Sequence, residues 1–390
     1  MYRIGQEEID AVAEVIRSEQ LSRHGDREHG CLREVDRFEE EWAGKIGTRY
    51  ALLMCGGGTA ALICALAGLG VGPGDEVVVP GYTWLATASS VLAVGAIPVL
   101  AEVDETLALD PADVERKIGP NTRAMIPVHM AGRPADMTSL MEVGHRRGLK
   151  VVEDSCQMVG GSYKGKRTGS WGDVGAFSLN WQKIITTGEG GVLVTDDPEV
   201  YERAYVFHDT GSPFRIRESE LRVPVFAAQQ YRADEIMGAV ARVQMGRLDG
   251  ILADLRRIRK RFEAELADAK GLRIAPNNDP EGDCGVVVAF QFDTEAKARA
   301  FGQGGLPIDS GKHVYTNWEV LARKSAMHHP EMNPFTFPAN RGLRTDYGED
   351  ACPRTLDLLR RTVFCGVNPD WTEEDVQRGI AACRAAVRNL

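Results

Sequence analysis

From Tyr50 to about Thr195 the chain alternates short apolar runs with stretches of helical periodicity, and this rhythm restricts the possible folds more than any other feature. Tyr50-Ala51-Leu52-Leu53-Met54, Glu76-Val77-Val78-Val79, Ile97-Pro98-Val99-Leu100, Ala124-Met125-Ile126 and Lys150-Val151-Val152-Glu153 read as strands apolar on both faces. Strands of that kind belong to a mostly parallel sheet covered by helices on both sides, so the fold class is α/β. Ligands of such sheets collect beyond the carboxyl ends of the strands. Gly58, Trp84, His129 and Asp154 each fall just past a predicted strand end.

After Ala233 the pattern changes to long helices through roughly Lys270, then a strand-like run from Val286 to Phe292. Helices are expected from near Pro353 and after Thr372-Glu373-Glu374, where Thr372 suits an N-cap ahead of acidic first-turn residues. These features predict a large domain over residues 1–240 and a smaller α+β domain over 241–390. The large domain opens with an amphipathic helix carrying Ile9, Val12, Ala13 and Ile16 on one face.

A net charge of -10 gives no general attraction for nucleic acid or anionic membrane, so an anionic ligand must be met by a local cluster. The eight cysteines are scattered through mostly apolar stretches without a Cys-x-x-Cys pair, and His328-His329 lacks further ligands at metal spacing. They read as reduced core thiols, and no metal site is expected. No apolar run is long enough for a bilayer and no signal-like core opens the chain, so a cytoplasmic location is expected.

The chemistry centres on Lys183, which follows the strand Val174–Ser178 and precedes Gly188-Glu189-Gly190-Gly191 and a further strand, Val192–Thr195. Paired with Asp154 it suggests pyridoxal phosphate. That coenzyme needs an amine to hold its aldehyde as a Schiff base and a carboxylate to keep its ring nitrogen protonated. Gly56-Gly57-Gly58-Thr59 ends a strand and opens a helix, where backbone amides can approach a phosphate, although a glycine turn there is often only a tight turn. Trp84 offers a flat ring for stacking or for core packing. Gln157 follows Asp154 closely enough for its amide to reach a ring hydroxyl.

With these residues the chain resembles the sugar aminotransferases of the DegT/StrS group, fold type I pyridoxal phosphate enzymes similar in architecture to aspartate aminotransferase. The matching stretches are Phe38–Ala43, Gly58-Thr59, Pro80–Thr87, Val128–Gly132, Glu153–Gln157, Ser178–Gly191 and the Cys352-Pro353 helix. The resemblance implies an aspartate-aminotransferase-like three-layer large domain and a homodimer with its active site at the interface. Lys183 would be the Schiff-base lysine and Asp154 the pyridinium partner. Gly58, Thr59 and Ser178 would contact the phosphate, Trp84 would stack on the ring, and Gln157 would reach its hydroxyl.

Gln230, in Gln230-Tyr231-Arg232, stands where relatives commonly carry an asparagine that reaches the partner's phosphate, and Asn180 stands where many have His or Tyr. His313 and Tyr315 match a region that often approaches the sugar. Arg215 and Arg217, in a non-periodic loop from His208 to Pro224, are candidates for attracting an anionic substrate. The implied reaction moves an amino group from glutamate or glutamine to a keto sugar, nucleotide-linked, free or acidic, or to a cyclitol. Alternatives on the same fold are a sugar dehydratase, an aromatic amine synthase or a catalytically silent coenzyme-binding regulator. Dehydrating relatives replace the lysine by histidine, which Lys183 disfavours.

Overall fold

Short apolar strands joined by helices leave one economical arrangement, a sheet sandwiched between helix layers. A computed structural model describes residues 3–26, 28–211, 216, 218–302, 311–388 and 390. The strands are β1 (Tyr50–Met54), β2 (Glu76–Pro80), β3 (Ile97–Ala101), β4 (Thr122–Met125), β5 (Lys150–Asp154), β6 (Ser162–Tyr163), β7 (Lys166–Arg167), β8 (Val174–Ser178), β9 (Gly191–Thr195), β10 (Arg273–Ile274), β11 (Val287–Gln291) and β12 (Thr362–Gly366). Seven of them form one sheet in the order β1-β9-β8-β5-β4-β2-β3, while β6 pairs with β7 and β10-β11-β12 make a small separate sheet.

Within the large sheet β3, β2, β4, β5 and β8 are parallel neighbours, and β9 runs antiparallel to both β8 and β1. The carboxyl ends of β1, β2, β4, β5 and β8 therefore share one edge.

Alternate residues of each strand feed opposite layers. Leu52, Met54, Val77 and Val79 pack with the helices Gly57–Gly68, Ala86–Ala93 and Pro198–His208. Leu53, Phe177 and Val192 face the opposite way, toward Glu34–Ile46 and the 32-residue helix Glu235–Leu266. That helix, about 48 Å long at 1.5 Å per residue, carries Leu255 and Phe262 onward to Val288 and Phe290 of the small sheet. It runs through residue 240, so both parts of the chain share one apolar cluster. Asp110, Asp136, Asp197 and Asp234 cap helix starts by accepting backbone N–H bonds. Thr372 and Asp375 exchange hydrogen bonds at the start of the last helix, Glu373–Arg388.

The amphipathic first helix, Gln6–Arg17, does not bury its isoleucine stripe. Glu8 and Val15 are its buried residues, whereas Ile9 and Ile16 are exposed. Polar anchoring decides the orientation, because Glu8 accepts hydrogen bonds from Arg247 and Gln244 of the long helix. Cys64, Cys284, Cys352 and Cys383 are buried, but Cys55 is exposed; all eight cysteines are free. No helix among the described residues is long and apolar enough to cross a membrane. No group of potential metal ligands occurs among them either.

Candidate active site

The shared edge of strand ends opens into a cleft of ≈ 230 Å³ lined by Gly58, Thr59, Trp84, Asp154, Gln157, Ser178, Lys183 and His313. Residues far apart in sequence meet here because β1, β2, β5 and β8 all terminate at this edge.

One wall is the start of the Gly57–Gly68 helix. Its N-cap is Gly56 and makes no side-chain cap bond, so the first-turn amides face the cleft without a side-chain acceptor. Such amides suit an anion. Gly58 has no room for a side chain: a Cβ there would lie 2.6 Å from Cys156 Sγ and 2.9 Å from Ser178 Cβ. Gly191 has none either, for its Cβ would collide with the Gly57 carbonyl oxygen at 2.1 Å. The two glycine clusters are thus pressed together, which draws Ser178 and the Lys183 loop beside the helix start.

Asp154 is buried at the end of β5. Its Oδ2 accepts the Thr87 hydroxyl proton at 2.8 Å and its Oδ1 accepts the Cys156 N–H at 3.1 Å. Thr87 Oγ1 is also 2.8 Å from Thr83 Oγ1. Burial, with the Asp154 carboxylate beside it, pushes the Cys156 thiol well above the usual range and keeps it unreactive. Lys183 is held by its own loop, its N–H donating to the Asn180 carbonyl at 2.8 Å, while Trp181 N–H donates to the Gly188 carbonyl at 2.9 Å.

Trp84 projects into the cleft 48% exposed, and its ring centre lies 5.1 Å from that of His313. His313 arrives on a segment stitched to the β2 end: Thr83 N–H donates to the His313 carbonyl at 2.9 Å and Tyr315 N–H to the Gly81 carbonyl at 3.1 Å. Burial, followed by the nearby Lys183, lowers the His313 imidazole below its ordinary range. Its Nε2 then accepts from Gln157 Nε2 at 3.3 Å, and Gln157 Oε1 accepts the Ala131 N–H at 3.0 Å.

Two other candidates, Tyr315 and Gln230, lie outside the cleft lining. Tyr315 points into the core, 1% exposed, with its hydroxyl donating to the Glu349 carbonyl at 2.7 Å and accepting the Cys352 N–H at 3.2 Å. Side chains two apart on a strand-like segment share a face, but the turn Tyr315–Asn317 begins here and swings the tyrosine away. Gln230 is exposed outside the cleft of its own chain, where it bridges Asp209. Arg215 and Arg217 lie outside the described residues.

The sequence reading passed over Thr87, which donates to the buried Asp154, over Thr83, which meets the Thr87 hydroxyl, and over Glu189 and Gln182 in the cleft wall. Thr87 stands in the first turn of the Ala86–Ala93 helix, three residues beyond Trp84, and that nearness to a strand-end candidate was the available signal.

A sequence profile of the DegT/DnrJ/EryC1/StrS aminotransferase family matches residues 2–313. The chain is 40% identical over 231 residues to the GDP-perosamine synthase of Caulobacter vibrioides, an alignment spanning 59% of this chain and 61% of that protein. It is 36% identical over 270 residues to the L-glutamine:2-deoxy-scyllo-inosose aminotransferase of Streptomyces kanamyceticus, spanning 67% of this chain and 61% of the relative. The alignments thus span about three fifths of each of these relatives' length. The solved structure of a 3-amino-5-hydroxybenzoic acid synthase superposes with a TM-score of 0.82 at 26% identity, covering 100% of this chain and 98% of that one. With four fifths of its length matched and the same architecture throughout, the chain belongs to the DegT/DnrJ/EryC1/StrS aminotransferase family.

Proposed function

We propose that the protein is a pyridoxal phosphate-dependent aminotransferase that moves an amino group from glutamate or glutamine to a keto sugar or cyclitol. The observation that carries this reading is the meeting of Lys183 and the buried carboxylate of Asp154 in one cleft beside an uncapped helix start. The donor set suits the coenzyme: an amine, a desolvated carboxylate, free amides with the Thr59 and Ser178 hydroxyls, and the exposed Trp84 ring. When bound, pyridoxal phosphate supplies a carbonyl for amine capture and a ring that delocalises the electron pair released at the donor carbon.

In this reading Asp154, held by Thr87 and the Cys156 N–H, keeps the proton on the ring nitrogen. Lys183 would anchor the coenzyme through its Nζ, and the same amine, when free, would hold and move the proton of the donor carbon. Gly58, Thr59 and Ser178 hold the phosphate, Trp84 covers the ring and Gln157 meets its hydroxyl. The names of the two relatives support a sugar or cyclitol acceptor and, for the second, glutamine as donor.

We further infer a cytoplasmic homodimer in which the exposed Gln230 reaches the other copy's phosphate, with His313, Arg215 and Arg217 near the acceptor. Tyr315 acts only by supporting the His313 segment. The division near residue 240 is retained in this proposal, with the long helix as the connection.

Borohydride reduction followed by peptide mass spectrometry should find the coenzyme on Lys183, and Lys183→Ala should fold but carry no reducible coenzyme. Attachment at another lysine refutes the assignment. An absorbance change on adding glutamate or glutamine separates a working enzyme from a silent binder. The likeness to the 3-amino-5-hydroxybenzoic acid synthase favours an aromatic amine synthase as second reading. Product analysis with keto sugars, free and nucleotide-linked, decides between them. A fully active monomer at micromolar concentration would overturn the dimer.

A further inference from the structure

Directly behind the cleft, His129 and Glu153 face each other with both side chains 0% exposed, His129 Nε2 3.6 Å from Glu153 Oε2. Neither atom has a hydrogen-bond partner among the described residues. The ring's tautomer follows from its other side: Nδ1 accepts the Ala135 N–H at 3.0 Å, so the ring proton sits on Nε2 and points at Glu153. Glu153 is occupied on its other flank, where Oε1 accepts the Trp171 N–H at 3.4 Å, while Oε2 faces the His129 ring just beyond hydrogen-bond distance.

A buried polar pair of this kind is poorly explained by stability alone, because apolar residues of similar volume often serve as well or better. Its neighbours suggest what it fixes. His129 N–H donates to the Asp154 carbonyl at 3.0 Å, and Asp154 N–H donates to the Pro127 carbonyl at 2.9 Å. The imidazole thus stands at the seam between the ends of β4 and β5. From that seam the chain enters a tight turn in which Ala131 takes a left-handed conformation, φ 52°, followed by Gly132 at φ 75°. A non-glycine residue in that region needs its surroundings to hold it there. The turn is what aims the Ala131 N–H at Gln157 Oε1, so that the Gln157 NH2, which donates to His313 Nε2 at 3.3 Å, is turned to the cleft side.

We propose that His129 and Glu153 are positioning residues that hold the 129–132 turn at the height required to aim the Gln157 amide into the cleft. The inference rests on the reading of Gln157 as the partner of the coenzyme's ring hydroxyl. Glu153→Gln is the sharpest perturbation: an amide can accept from only one of the two N–H donors, and its NH2 must then oppose the other.

The measurement is the pH midpoint of the coenzyme's absorbance in holoenzyme without donor, with thermal unfolding recorded alongside. Glu153→Gln should move the midpoint by about one pH unit in the same direction as Gln157→Ala. The double variant should show the Gln157→Ala shift and nothing more, because residues acting through one contact are not additive. His129→Gln, whose amide can both accept from Ala135 and donate to Glu153, should keep nearly the wild-type midpoint, whereas His129→Leu should not. If Glu153→Gln does not fold, the His129 pair carries the test. A wild-type midpoint in Glu153→Gln or His129→Leu overturns the proposal, as do additive shifts in the double variant. Failure of the coenzyme reading looks different, since the wild-type protein would then show no such absorbance.

Discussion

Gly58→Ala is a stringent test of the site because the structure specifies what the added methyl would strike. Its Cβ would lie 2.6 Å from Cys156 Sγ and 2.9 Å from Ser178 Cβ, where non-bonded carbons settle at about 3.5–4.0 Å. Neither neighbour can recede freely: Cys156 Sγ is backed by the Ala176 carbonyl, and Ser178 is tied into the sheet opposite Gly191. Overpacking of this sort costs about 1–3 kcal/mol. Because Gly58 lines the cleft in the helix turn proposed to hold the phosphate, the strain should appear as coenzyme loss, about 5- to 150-fold in affinity at 1.4 kcal/mol per decade. Equilibrium dialysis of the coenzyme measures it.

The variant Gly58→Ala/Cys156→Ala should recover part of the loss, since the sulfur is gone and Cys156 Cβ lies at 3.5 Å, while the Ser178 contact remains. Gly57→Ala is a control of different origin. Its φ of +71° costs about 1–2 kcal/mol of left-handed strain, but the nearest atom, Glu189 Oε2, is 3.8 Å away, so removing Cys156 should bring no recovery. Wild-type coenzyme affinity in Gly58→Ala, or no recovery in the double variant, would refute the steric reasoning.

Asp154→Asn should keep much of the coenzyme yet lose most of its turnover, because a neutral amide cannot hold the ring nitrogen protonated; near-normal rates in steady-state assays would assign that task to another group. Thr87→Val removes the hydroxyl that donates to Asp154, and a hydrogen bond to a charged group is worth about 1.5–3 kcal/mol, so kcat/KM should fall about 10- to 150-fold. His208 is buried and lowered to about 4 by that burial, although its bond to the Tyr205 carbonyl opposes the shift. The unfolded chain therefore binds the proton more readily, so this stabilisation is complete above about 6.5 and is lost as pH falls toward 4. Urea unfolding midpoints of His208→Gln should fall less steeply over that window than those of the wild type, and parallel curves would count against it. For Glu8, burial favours the neutral acid, but hydrogen bonds from Arg247, Gln244 and the Gly5 N–H outweigh it and hold the group at about 2. Its stabilisation is lost as pH falls from about 4.5 toward 2, and Glu8→Gln should remove that acid-sensitive portion of the melting curve.

The sheet was largely legible because strands buried on both faces leave continuous apolar runs, and β1, β2, β3, β5 and β8 fall where those runs stand. The reversal at β9 was readable only indirectly: the link from Ser178 to Gly191 contains no crossover helix, and a parallel return needs one. Periodicity gave the first helix an apolar face without saying what that face meets, and the Glu8 contacts turned it outward. The candidate residues of the cleft were marked by residue type at strand ends, where Lys183, Asp154, Gly58 and Trp84 carry chemistry that packing does not require.

By itself, then, the sequence determined the layered α/β class, the strand ends that carry reactive groups and the amine–carboxylate pair, since these depend on local pattern and side-chain type. Only the tertiary structure decided that Gly191 presses on Gly57, that Thr87 holds Asp154, that His313 faces the cleft while Tyr315 supports it from below, and that His129 backs onto Glu153. Each of these joins segments distant in sequence, from 24 residues apart for His129 and Glu153 to 229 for Trp84 and His313, and the contacts are set by sheet order and by the few ångströms between neighbouring backbones, neither of which a local pattern encodes.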